Sequence, residues 1–162
     1  MLVYKGKRYN DKRGFLREVF QKYIIKKNLV FSVTSSSKKN VLRGLHLQTK
    51  KSQDKYVTVL KGKILDVVVD LRKKSKTYGK HFKIILDENN SKFLFIPKGF
   101  AHGFLGLGKE NIALYSCTNY RHAKSEKAVL WNDKDLKIKW PIKKPIISKK
   151  DRSAQKFKDI KF

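Results

Sequence analysis

Cysteine, acidic side chains and long apolar runs are all scarce in this sequence of 162 residues. The single cysteine, Cys117, excludes an internal disulfide and fits a reducing compartment. The N-terminus MLVYKGKRYN lacks the apolar segment of a secretory signal, and no run approaches the about 20 apolar residues that span a bilayer. We therefore expect a soluble, cytoplasmic protein without a membrane partner, and a buried, inert Cys117 thiol within a strand.

The shortage of acidic residues gives the chain a strongly positive charge. Thirteen aspartates and glutamates stand against 40 lysines and arginines, so the net charge is +27. A charge of this size is typical of nucleic-acid-binding proteins. Here, however, the lysines are scattered over turns and both termini, and no basic helix or aromatic-studded nucleic-acid motif is present. We therefore expect no specific nucleic-acid partner, although a basic nucleic-acid-binding barrel remains an alternative.

Short apolar runs separated by turn residues dominate the chain from Val41 onward. The runs cover residues 57–60, 64–71, 81–86, 93–96, 104–107 and 112–118. Such spacing, with few helical patterns, is typical of an antiparallel β-sandwich or barrel, and residues 20–29 favour one short helix. The length fits one domain, and no internal repeat or low-complexity linker divides it. We predict a single all-β domain over residues 1–162 with one or two short helices.

Charged residues interrupt two of the apolar stretches. In VLRGLHLQ, Arg43 and His46 would point to opposite faces of a regular strand, and a bend at Gly44 would turn both toward one cavity. In the run 64–71, Asp66 and Asp70 share one face with apolar residues. That face is either the lining of a cavity or an ordinary solvent-exposed surface.

Two kinds of chemistry are compatible with the titratable residues. Metal binding in a small barrel commonly uses a His-x-His pair, but the residue two after His46 is Gln48, an amide and a poor ligand. We therefore expect no metal. Acid–base chemistry needs a histidine base with a carboxylate, a lysine beside a developing oxyanion, and a second proton donor. The candidates lie in separate segments, and spacing alone does not establish that they converge: His46, Lys55, Asp66, Asp70, His102, Tyr115 and Asp151.

Six segments, taken together and in order, resemble the dTDP-4-dehydrorhamnose 3,5-epimerase family of cupin-type enzymes. The patterns RGLHxQ and IPxGFAHGF are specific when they occur together. The resemblance covers most of the chain and implies a cupin-type β-jelly-roll, a homodimer, no metal or cofactor, and a nucleotide-linked 4-keto-6-deoxyhexose as substrate. The segments are DKRGFLREVF, NVLRGLHLQ, DKYVTVLKGKILDVVVDLRKKSKTYGK, FLFIPKGFAHGFL, LYSCTNY and LWNDKDLKIKWP.

The same resemblance implies roles for individual residues. His46 would remove the proton at C3 or C5, beside the C4 ketone, and Asp151 would pair with it. Lys55 would stabilise the enolate at O4, and Tyr115 would return a proton to the opposite face. The substrate-binding residues would be Arg13, Glu18, Arg43, His102, Tyr120, Glu126 and Lys150, so the basic tail from about residue 143 would supply Lys150 and Asp151 to the site.

The chain departs from the family pattern at two places near these residues. Phe31-Ser32-Val33 replaces a Gln-x-Asn element whose amides contact the nucleotide, and Arg121 replaces a tyrosine that often follows Tyr120. We predict metal-free epimerisation at C3 and C5 of dTDP-4-keto-6-deoxyglucose, in deoxysugar biosynthesis of the dTDP-L-rhamnose type. The alternatives are a 3- or 5-mono-epimerase, an epimerase of another nucleotide-linked 4-keto sugar, and a non-catalytic nucleotide-sugar-binding cupin.

Overall fold

The computed structural model describes residues 1–160, which form twelve strands and two α-helices. Two antiparallel five-stranded sheets face each other, with strand orders β1-β9-β6-β11-β4 and β12-β5-β10-β7-β8, and β2 pairs with β3 in a separate hairpin. The predicted all-β sandwich is therefore confirmed. The elements are β1 Leu2–Lys5, β2 Arg8–Asp11, β3 Gly14–Arg17, α1 Lys22–Ile25, β4 Phe31–Lys38, β5 Leu42–Gln48, β6 Lys55–Lys61, β7 Lys63–Asp70, β8 His81–Asp87, β9 Lys92–Ile96, β10 Phe100–Gly106, β11 Glu110–Cys117, β12 Glu126–Ala128 and α2 Lys149–Arg152.

The N-terminal third of the chain contains more strand and less helix than the sequence pattern indicates. The helix predicted over residues 20–29 is one turn, Lys22–Ile25, and ends at Lys26 in the left-handed conformation with φ 52°. The four strands β1 to β4 were not predicted. Two of them, β1 and β4, are edge strands that pair on one side only and leave many side chains exposed, so they need no continuous apolar run.

The buried apolar residues form three clusters, of which the smallest lies beside α1. Between the two sheets pack buried residues of β6 to β11, among them Val57, Leu94 and Phe104. A second cluster lies on the opposite face of β5, β7 and β10, where residues including Val129 and Leu136 cover it. Strand β7 is thus buried on both faces, which explains why its sequence reads as an almost continuous apolar run.

The C-terminal segment is held against the second sheet by backbone hydrogen bonds. The amide of Leu42, at the start of β5, donates to the carbonyl of Ile146 at 2.9 Å. Two residues later Ser148 caps α2, because its Oγ accepts the backbone N–H of Asp151 at 3.1 Å. These contacts bring the basic tail alongside β5 and fix Asp151 beside that strand.

Two further expectations concern the cysteine and membrane-spanning helices. Cys117 is buried in β11, as predicted, and its burial raises the pKa of its thiol although the Lys55 ammonium acts in the opposite direction. Across residues 1–160 no helix has the length and apolar character needed to cross a membrane.

Candidate active site

A cavity of about 660 Å³ opens into the structure and is lined by both apolar and polar side chains. This volume suits a small-molecule ligand. Both sheets and the C-terminal segment contribute to its walls. Eight of the predicted site residues line it: Arg43, His46, Lys55, His102, Tyr115, Glu126, Lys150 and Asp151.

A glycine bend directs two residues of β5 into the cavity. Gly44 has φ +113°, and a Cβ on it would lie 2.6 Å from the Cα of Gly103 in β10. The β5–β10 register shifts at this point. As the sequence predicted, Arg43 and His46 consequently both line the cavity, and the Arg43 guanidinium is held by Ser37 Oγ at 2.9 Å.

The half-buried His46 and the buried Asp151 form a dyad. The distance between His46 Nε2 and Asp151 Oδ1 is 2.5 Å, although the residues are 105 positions apart in the chain. Burial by itself would raise the pKa of the Asp151 carboxyl, but the hydrogen bonds from His46, Ser148 and the Gly44 amide outweigh it and lower that pKa. The carboxylate therefore stays ionised and orients the imidazole, leaving Nδ1 as the ring nitrogen that can accept a proton.

A second histidine–carboxylate pair lies beside the first. His102 in β10 is the ladder partner of His46, and its Nε2 lies 2.8 Å from Asp66 Oδ2. Asp66 is thus behind His102 rather than in the cavity wall. Asp70 also does not line the cavity, since Arg72 and neighbouring hydroxyls of the following loop bind its carboxylate. The suggestion that this face of β7 lines a cavity is wrong for both aspartates.

Lys55 and Tyr115 approach the cavity from the first sheet, opposite the strand that carries His46. Burial raises the pKa of the Tyr115 phenol well above its usual range, so the hydroxyl stays protonated at neutral pH. Its Oη lies 3.3 Å from Ser35 Oγ. Loss of hydration lowers the pKa of the Lys55 ammonium, while Cys117, Glu126 and Asp66 act in the opposite direction.

An ion-pair network occupies the rim of the cavity. Glu126 Oε1 accepts from Lys150 Nζ at 2.7 Å, and Glu126 Oε2 accepts from Arg121 Nε at 2.9 Å. Burial would raise the pKa of the Glu126 carboxyl, but the two cations outweigh it and lower that pKa. Arg121 also lines the cavity, although it was not among the predicted site residues. The one sequence feature that pointed to it was that an arginine follows Tyr120 where the family often has a tyrosine.

Three predicted site residues lie outside the cavity of a single chain. Arg13, in the turn between β2 and β3, binds Asp11 at 2.6 Å. Glu18 follows β3 and accepts hydrogen bonds from the Lys7 amide and the Gln21 side chain. Tyr120 is 67% exposed, and its ring packs 5.9 Å from the ring of Phe31.

The two histidines that line the cavity each form a hydrogen bond with a carboxylate. Within the described part of the chain, no group of three or more histidine, cysteine, aspartate or glutamate side chains is arranged to hold a metal ion. In the two cavity histidines, Nε2 is bonded to a carboxylate. What the arrangement offers is proton transfer: an oriented base on one sheet, and a protonated phenol and a cation on the other.

Comparison with known proteins gives a consistent result. A family model described as dTDP-4-dehydrorhamnose 3,5-epimerase matches residues 1–159. The chain is 44% identical to the dTDP-4-dehydrorhamnose 3,5-epimerase of Methanothermobacter thermautotrophicus over 90% of this chain and 83% of that protein. It is 38% identical to the enzyme of the same name from Shigella flexneri over 100% of this chain and 93% of that protein.

A solved structure shares the fold. The dTDP-6-deoxy-D-glucose-3,5-epimerase of Legionella pneumophila, crystallised with dTDP-4-keto-L-rhamnose, superimposes with a TM-score of 0.94 at 38% identity. The match covers 98% of this chain and 88% of that structure. On the near-complete family match, the identity to these enzymes and the shared fold, the chain belongs to the dTDP-4-dehydrorhamnose 3,5-epimerase family.

Proposed function

We propose that the chain inverts C3 and C5 of dTDP-4-keto-6-deoxyglucose by proton transfer across the cavity. The observation that carries the proposal is the placement of His46 and Tyr115 on opposite sheets, facing one cavity. Inversion requires a base on one face of the sugar carbon and an acid on the other, because a proton returned to the original face restores the substrate. A protein that only bound the sugar would not need this two-sided arrangement.

Each proton transfer is balanced by the groups present. His46 Nδ1 takes the proton from the carbon beside the C4 ketone, and the electron pair of that C–H bond moves to O4 as an enolate. The Asp151 carboxylate stabilises the imidazolium, and the Lys55 ammonium stabilises the enolate oxygen. Tyr115 then donates its phenolic proton to the opposite face, and exchange with water restores both groups.

The charge of the cavity supports an anionic substrate. Arg43, Lys55 and Lys150 line it together with the partly neutralising Glu126 and Asp151. A dTDP-linked sugar carries a diphosphate, which matches these cations, and the relatives named above act on or bind dTDP-sugars by their names. We assign His102 to the sugar, and Arg43 and Lys150 to the anionic part of the substrate.

We further propose that the whole chain is one catalytic domain and works as a homodimer. The β1–β3 region exposes large apolar side chains, among them Leu2, Phe15 and Leu16, the last 71% exposed. Arg13 and Glu18 lie in or next to the β2–β3 hairpin that carries Phe15 and Leu16, so a partner chain that covered this region would also lie beside them. Light scattering should give twice the chain mass, whereas Leu16→Asp should give monomers; a monomeric wild-type protein would contradict the dimer.

The proposed function is tested by incubating the protein with dTDP-4-keto-6-deoxyglucose in D₂O and following C3 and C5 by NMR. Deuterium should enter at both carbons, with inverted product. Exchange at one carbon only would assign the chain to the mono-epimerases, and exchange only with another nucleotide would change the substrate. Binding without exchange would favour a non-catalytic nucleotide-sugar-binding protein. DNA binding without nucleotide-sugar binding would favour the nucleic-acid alternative.

A further inference from the structure

Arg121 is a cavity residue for which the proposed mechanism has no use. It follows β11 and borders two connected spaces, the main cavity and an adjoining recess of about 180 Å³. His46, Lys55 and Tyr115 border both spaces as well. Its side chain is 62% exposed, so Arg121 lies at the solvent-exposed rim of the cavity.

The Glu126 carboxylate holds Arg121 in this position. Arg121 Nε and Nη2 each lie 2.9 Å from Glu126 Oε2, while Lys150 takes the other carboxylate oxygen. One negative charge thus faces two positive charges, and the rim keeps a net positive charge. Glu126 itself is mostly buried, which limits the movement of the network and aligns both cations along one edge of the cavity.

We propose that Arg121 binds the diphosphate of the nucleotide sugar together with Lys150. The proposal rests on the proposed function, because it takes the sugar to lie between His46 and Tyr115. With the sugar in that position, the diphosphate attached to it would extend toward the rim of the cavity, where Arg121 and Lys150 lie. A planar guanidinium fork matches two phosphate oxygens at once in a fixed geometry, whereas a lysine ammonium acts as a point charge.

Arg121 also adjoins the surface on which a nucleotide would continue outward. The preceding residue, Tyr120, exposes its ring beside that of Phe31, and Phe31 borders the recess. An exposed aromatic ring next to a cation suits a planar base attached to a phosphate. The competing explanation is that Arg121 only forms a surface ion pair with Glu126, which would contribute little to stability and nothing to binding.

The test measures the Kd for dTDP by calorimetry, and kcat and KM for the dTDP-sugar, in two variants. Arg121→Gln removes the cation at the rim. Arg152→Gln is the matched control, since Arg152 lies exposed in α2 and does not border the cavity. Loss of one charged hydrogen-bonding partner should raise the Kd and KM of Arg121→Gln about tenfold with kcat within about twofold. The control should leave all three values unchanged.

The conservative variant Arg121→Lys keeps the charge but loses the fork, so its Kd should rise by less than that of Arg121→Gln. Melting temperatures of all variants identify any loss of folding. Unchanged dTDP affinity in Arg121→Gln, or an equal loss in Arg152→Gln, would overturn the proposal. Failure of the proposed function looks different, because the wild-type protein itself would then show no proton exchange with the dTDP-sugar.

Discussion

Replacing Asp151 with asparagine tests how the dyad contributes to catalysis. The substitution keeps the side-chain shape and an oxygen that can accept the His46 Nε2–H, but it removes the negative charge that now lies 2.5 Å away. The Asp151 side chain is only 5% exposed, so water has little access to this side of the imidazole and cannot take over the stabilisation of its positive charge. The imidazolium that forms when His46 takes the substrate proton is then no longer stabilised by a neighbouring carboxylate.

The magnitude follows from the strength of such contacts. A hydrogen bond to a charged partner contributes ~1.5–3 kcal/mol, and each ~1.4 kcal/mol on the barrier changes the rate tenfold. Because asparagine retains part of the bond, kcat should fall about 10- to 100-fold. Since the dyad acts on the reacting proton rather than on the diphosphate, KM should change little. Steady-state kinetics with the dTDP-sugar measures both values.

The control is Asp135→Asn, which removes a carboxylate that forms an exposed ion pair with Lys158 far from the assigned chemistry. Its kcat should match that of the wild-type protein. An Asp151→Asn variant with wild-type kcat would refute the role of the carboxylate. A rise in KM at constant kcat would instead assign Asp151 to substrate binding.

Further variants and conditions test the same account. His46→Ala should lose about 10²- to 10⁴-fold in kcat, the usual contribution of a general base, and near wild-type turnover would refute the assignment. Lys55→Gln should lower kcat and slow deuterium exchange equally, since both pass through the enolate; exchange at the wild-type rate would contradict that role. Exchange should survive chelator treatment, and a loss that zinc or iron restores would contradict the metal-free mechanism. The pKa of Asp151 is lowered in the folded protein, so its contribution to stability is complete above its unfolded pKa of about 4 and is lost as the pH falls. Urea unfolding at about pH 6 and pH 3 should therefore show a smaller acid-induced loss for Asp151→Asn than for wild type; equal losses would contradict it.

Strand patterns predicted the centre of the fold and one edge strand, β8, but missed the edge strands β1, β4 and β12. The runs after residue 55 have apolar side chains on faces that other elements bury, so each strand can be predicted from its own local sequence. Strand β4, with the sequence FSVTSSSK, is an edge strand whose stability comes from its ladder with β11. Pairing with a distant strand leaves no periodic signal in the local sequence.

In the site, too, local features were predicted from the sequence, whereas contacts between distant segments were not. The bend at Gly44 was predicted from the strand itself, because a glycine between two charged residues is a local feature. The His46–Asp151 pair depends on the docking of the C-terminal segment, and only the family resemblance indicated it before the structure. Family membership confirms the epimerase prediction, whereas the role of each residue remains a prediction. Arg121 was missed because its place at the cavity rim depends on its ion pair with Glu126.

The most direct test of the two-sided mechanism is Tyr115→Phe. In this variant we measure the rate of deuterium entry at C3 and C5, the rate of inverted product formation, and their ratio. Deprotonation needs only His46 and Lys55, whereas inversion needs the phenol on the opposite sheet. The ratio of exchange to inversion should therefore rise well above the wild-type value. An unchanged ratio would assign Tyr115 to packing within β11 and contradict proton transfer across the cavity.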